Sequence, residues 1–153
     1  MKNLVLAMTM LTVLLVGTDS ALAAPPGAIP VYCAGTALEG EERLLTCRRA
    51  DTRAVVTPVP ADMFLHITDI LVNPNNVATS GVYSLVVGRD DAGEYPGLPY
   101  VDLLGEAAGS YHFSTPYLVF RNGEDIASRA VPSSQLLAID VRASGYLASQ
   151  VSP

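Results

Sequence analysis

Between residues 24 and 153 no segment sustains a 3.6-residue apolar period over three helical turns, so the chain offers no amphipathic helix to build with. It is divided instead into short apolar or alternating runs separated by Pro, Gly, Asn and Asp. Val31–Ala34, Leu44–Arg49, Met63–Val72, Val82–Val87, Tyr100–Leu104, Tyr111–Phe113, Tyr117–Phe120, Ile126–Val131 and Leu136–Leu147 read as strands. Val55–Pro60, with two prolines, belongs at an edge or in a connection. About nine or ten strands at this spacing predict an all-β domain, an antiparallel β-sandwich over residues 24–153, and a jelly roll is the expected form. The sequence contains no internal repeat and no second domain.

Two local readings bear on the architecture. Met63–Val72 is apolar on both alternating faces, with Leu65, Ile67, Asp69 and Leu71 on one and Phe64, His66, Thr68, Ile70 and Val72 on the other. Such a strand is expected to be central and covered on both sides, or to meet another subunit with its second face. Asn73-Pro74-Asn75-Asn76 predicts a turn after it, and Asn122-Gly123 a hairpin or bulge. Gly145, inside the last strand, is expected at a bulge or a close backbone approach.

Residues 1–23 combine Lys2, an apolar run from Leu4 to Val16 and the small-x-small pattern Ala21-Leu22-Ala23. This is the composition of a cleaved signal peptide, and the mature chain is expected to start at Ala24 or Pro25, secreted or periplasmic. The run is short for a bilayer span, which needs about 20 apolar residues, and no later segment is apolar enough. Export makes Cys33 and Cys47 the expected disulfide, closing a loop of about 15 residues. Loss of Lys2 and Asp19 leaves the net charge at −6, with Arg as the only fixed cation, which excludes nonspecific nucleic-acid binding.

Three segments together resemble small exported bacterial β-sandwich proteins of jelly-roll type. They are Phe64-Leu65-His66-Ile67-Thr68-Asp69-Ile70 after Pro60, Tyr117-Leu118-Val119-Phe120-Arg121-Asn122-Gly123-Glu124-Asp125-Ile126, and the closing Ala143-Ser144-Gly145-Tyr146-Leu147. The last also looks like the final strand of the C1q and tumour-necrosis-factor jelly rolls. That resemblance implies self-association, with a trimer as the expected form, and it implies no catalytic residue.

The chemistry-bearing residues give no enzyme signature. His66 and His112 lack the spacing of a metal site, and no nucleophile elbow is present, with Gly109-Ser110 and Ser144-Gly145 reading as turn or bulge dipeptides. His66 is expected to be a hydrogen-bonded core or interface histidine. Asp69 sits inside an apolar strand, where burial raises a carboxylate pKa unless Arg or backbone donors compensate. Asp90, Asp91 and Glu94 put three carboxylates in one Gly-containing loop, a candidate calcium site without EF-hand spacing. Tyr95, Tyr100, Tyr111 and Tyr117 lie near loops or strand ends, where tyrosines either bind glycans or proteins or cap the core.

The leading expectation is a noncatalytic, exported structural or interaction module that self-associates and needs no cofactor. Its partner is another copy, another extracellular protein or a glycan. A calcium-assisted carbohydrate-binding module and a hydrolase built around Asp69 or His112 are the alternatives.

Overall fold

The computed structural model describes residues 24–38, 40–75, 83–90, 97–105, 108–113, 118–131 and 138–149. The expected signal peptide therefore lies outside the described residues. Ten strands build two sheets, and no helix occurs among the described residues. One sheet contains β1 (Ile29–Leu38), β3 (Thr46–Arg49), β4 (Phe64–Asn75), β7 (Gly109–His112), β8 (Leu118–Phe120) and β10 (Ala138–Ala148). Its order is β3-β1-β10-β4-β7, with β8 following β7 along the same edge of β4. The other contains β2 (Arg43–Leu44), β5 (Tyr83–Arg89), β6 (Gly97–Gly105) and β9 (Ile126–Val131), in the order β2-β9-β5-β6.

Every strand pairing is antiparallel. The pairs also nest: β1 with β10, β2 with β9, β4 with β7 and β8, and β5 with β6. The two sheets share one apolar core. Val31, Ile67, Ile70, Val141 and Leu147 come from the larger sheet, and Leu85, Val87, Leu103, Ile126 and Ala130 from the smaller. Removing these side chains from water is the main drive for sheet-on-sheet packing.

The Cys33–Cys47 disulfide is formed, and both cysteines are buried. It joins directly opposed residues of β1 and β3, but these strands are not a simple hairpin, because β2 leaves for the other sheet between them. The proline-containing stretch after β3 runs beside it, with Val56 N donating to Cys47 O at 2.9 Å and Thr57 Oγ1 accepting from Cys47 N at 3.2 Å.

Three local expectations are revised. β4 does not turn at Asn73 but continues to Asn75, paired with β10. Pro74 lies opposite Ile139 of β10 and stays within the strand. Asn122-Gly123 does form a turn, with Gly123 at φ 80°, but it carries the chain from β8 in one sheet to β9 in the other and makes no hairpin. Gly109-Ser110 belongs to β7 and is no turn.

The most consequential revision concerns the faces of β4. Ser144 pairs with Asp69, whereas its neighbour Gly145 pairs with Ile67, so Thr68 is an extra residue on β4. This bulge breaks the period of two. Leu65, Ile67, Ile70 and Val72 all enter the core, fully buried, while His66, Asp69 and Leu71 turn outward. The two backbones approach closely at Gly145, where a Cβ would sit 2.9 Å from the His66 carbonyl carbon.

Candidate functional site

The bulge places Asp69 on the outer face of the six-stranded sheet, away from the core where strict alternation with Leu65 and Ile67 would have put it. Two parallel rows of side chains then cross four strands of that face. Tyr32 on β1, Ser144 on β10, Asp69 on β4 and His112 on β7 are direct cross-strand neighbours. Ala34, Arg142, Leu71 and Ser110 form the second row on the same strands. Between the rows lies a groove of about 460 Å³, lined by Tyr32, Ala34, Asp69, Leu71, Ser110, Arg142 and Ser144 among others. A smaller cavity of about 190 Å³ continues from Arg142 past Asn73 and Asp140.

Asp69 is the best-connected polar group here. Its Oδ1 lies 2.6 Å from His112 Nδ1, and its Oδ2 accepts from Thr68 Oγ1 at 2.7 Å and from Ser144 Oγ at 3.3 Å. Partial burial pushes its pKa up, but the hydrogen bonds from His112, Thr68 and Ser144 outweigh that, and the carboxyl is held below the ordinary carboxylate value. The compensating donors are side chains, where the sequence suggested Arg or backbone. An ionised Asp69 with three donors orients His112, the part an acid plays in a triad. The Ser144 hydroxyl, however, donates to Asp69 and not to the imidazole. Among the described residues no hydroxyl hydrogen-bonds His112 Nε2.

Among the described residues Arg142 stands in the second row without a counter-ion, as Arg48 does beside the first, whereas Arg43, Arg49 and Arg89 each meet a carboxylate. Asp140, two positions away on the same face of β10, accepts from Thr36 Oγ1 at 3.2 Å and is beyond ion-pair distance of Arg142. At the far end of the first row, Arg48 stands beside Tyr32 and donates to Arg53 O at 3.2 Å.

One row further along the strands, His66 stacks on Tyr146 with ring centroids 4.7 Å apart and planes 13° apart. His66 is buried, but the expected hydrogen bond is missing at Nε2, which has no partner. Burial alone pushes its pKa below the ordinary histidine value and keeps the ring neutral.

The other candidate residues do not converge. Tyr100 is exposed on the outer face of the four-stranded sheet, opposite Gly88, while Tyr111 is in the six-stranded sheet and packs against the core. They therefore share no face. Tyr95 and Tyr117 lie outside the described residues, as do Asp91 and Glu94 of the acidic loop. Asp90 is described: its N donates to Asp125 O at 3.0 Å, and burial together with the Asp90 charge raises the Asp125 pKa. Among the described residues no group of three or more His, Cys, Asp or Glu side chains could hold a metal ion.

Sequence reasoning passed over Tyr32, Arg142 and Ser144 as site residues. A signal existed in the alternation of Tyr32 and Ala34 with Val31 and Cys33, and of Arg142 and Ser144 with Val141 and Ala143. Such alternation identifies an outward face but not which strands lie side by side. No family model, curated protein or solved structure matches this chain.

Proposed function

We propose that this is an exported, noncatalytic interaction module of jelly-roll type that self-associates. The nested strand pairs support the jelly roll, because a long antiparallel ribbon folded back over itself produces such an order. The buried Cys33–Cys47 disulfide supports folding in an oxidising compartment after removal of residues 1–23. No helix among the described residues is long and apolar enough to cross a membrane.

The observation that carries the noncatalytic reading is the wiring of Asp69. Its carboxylate takes three donors and is held ionised, and the hydroxyls of Thr68 and Ser144 donate to it instead of being activated by His112. The self-association follows from the resemblance of the closing strand to the C1q and tumour-necrosis-factor type. That strand, β10, lies in the middle of its sheet, between β1 and β4. Light scattering on the oxidised chain 24–153 tests this part. The expected mass is three chains, and a strictly monomeric particle at high concentration would refute self-association.

One observation favours the hydrolytic alternative, namely the 2.6 Å Asp69–His112 pair at the edge of a groove. Chromogenic esters and glycosides separate the readings. Turnover by the wild type that disappears in His112→Ala would establish a hydrolase, and absence of turnover keeps the noncatalytic one.

A further inference from the structure

We infer that the groove on the outer face of β1, β10, β4 and β7 binds a carboxylate-bearing sugar ring of the hexuronate kind. Its size, about 460 Å³, falls within the range of small-ligand sites and accommodates a pyranose. Its walls supply the three things such a ring needs. Tyr32, 41 % exposed at the rim, offers an aromatic face for the ring's C–H surface, and Leu71, 44 % exposed, extends the apolar floor. Ser144, Ser110 and the Asp69 carboxylate offer partners for ring hydroxyls.

Charge then selects the ligand. Asp69 is already compensated by its own donors, including His112. Arg142 has no carboxylate partner among the described residues. Arg142 is therefore the charged group of the groove whose hydrogen-bonding face is left open to a ligand, while Asp69 is engaged by protein donors. A guanidinium presents a planar fork matched to a carboxylate, which it binds through two parallel hydrogen bonds.

The floor of the groove disfavours an extended peptide. β1, β10 and β4, which carry most of the groove, are each paired on both flanks along it, so strand addition is closed to them and only the end strand β7 has a flank without a ladder among the described residues. Recognition on that floor runs through side chains. The groove is built by one chain, so binding needs no second copy.

The test is titration calorimetry of the oxidised chain 24–153 with glucuronate, against glucose and glucuronamide as uncharged probes. Glucuronate should bind about tenfold tighter than either, the worth of one charge-assisted pair at a solvated site. Arg142→Gln should erase that preference without changing the folded spectrum, and Tyr32→Ala should weaken all three sugars. Absence of glucuronate binding would overturn the proposal, as would equal affinity for glucose or a preference that survives Arg142→Gln. If the two substitutions instead change the particle mass in light scattering, a second copy occupies the groove and the proposal fails, while self-association stands.

Discussion

Replacing Gly145 by Ala adds one methyl group at the most crowded of the described glycines. The new Cβ would lie 3.0 Å from Ile67 Cα and 2.9 Å from the His66 carbonyl carbon, with the His66 oxygen closer still. These are backbone atoms of β4, and no rotamer change moves them. β4 cannot back away either, because Ile67 is paired on its other flank with Leu118 of β8. Overpacking a core by a methyl costs about 1–3 kcal/mol when side chains can adjust, and a rigid backbone neighbour places this case at the upper end. Separation of the strands weakens the β4–β10 ladder, about 1 kcal/mol for one hydrogen bond. Gly145 is not at positive φ, so Ala also restricts the unfolded chain, a gain of about 0.4–1 kcal/mol. The net expectation is a loss of about 3 kcal/mol, or a drop in Tm of about 10 °C for a chain of this size. Calorimetry or urea unfolding of the oxidised chain measures it. Gly35→Ala is the comparison: its Cβ meets the Leu45 side chain at 2.6 Å, with the nearest backbone atom, the Leu44 oxygen, at 3.2 Å, so its loss should be smaller. A Gly145→Ala melting point within about 2 °C of wild type would refute the close approach and the register built on it.

Reducing Cys33–Cys47 should lower the melting point without abolishing the fold, by about 3 kcal/mol in the chain-entropy account of a loop this long; an unchanged melting point in reductant would contradict it. Acidification should destabilise the protein through His66. Its folded pKa lies below the unfolded 6.5, so the unfolded chain binds more protons below that pH, and stability is intact above 6.5 and falls as pH drops towards the folded value. His66→Phe keeps the stack on Tyr146 and has no Nε2 to satisfy, so its melting point should vary less between about pH 7.5 and 5.5. Asp69, with its pKa held low, contributes stability that is present above the ordinary 3.8 and lost as pH falls through its folded value. Asp69→Asn should remove that acid limb, which a pH series of melting curves reads directly.

Much of this architecture is legible in the residues themselves. Short alternating runs, turn residues and two cysteines suffice for an all-β chain with one disulfide, because alternation and cysteine count are local properties. What was not legible depends on strand pairing. The bulge at Thr68 turns Asp69 outward and Ile70 inward, yet nothing in Ile67-Thr68-Asp69-Ile70 signals an extra residue until β10 is laid beside it. The groove is likewise a product of long-range register, since Tyr32, Asp69, His112 and Ser144 come from four strands. The expected turn at Asn73 failed for a related reason, as pairing with Asp140 and Ile139 holds β4 extended through Asn73 and Pro74. Asp69 invited attention as a carboxylate in an apolar run. Arg142 did not, because a cation on an outward strand position is ordinary until its lack of a partner is seen.

The functional reading depends on one register, β10 against a bulged β4. Backbone nuclear Overhauser contacts in a labelled, oxidised chain measure it directly. Cross-strand contacts of Ser144 with Asp69 and of Gly145 with Ile67, with Thr68 left over between them, are the expected pattern. A continuous ladder that pairs Thr68 with Ser144 and Asp69 with Ala143, turning Asp69 towards the core, would contradict it and dissolve the groove.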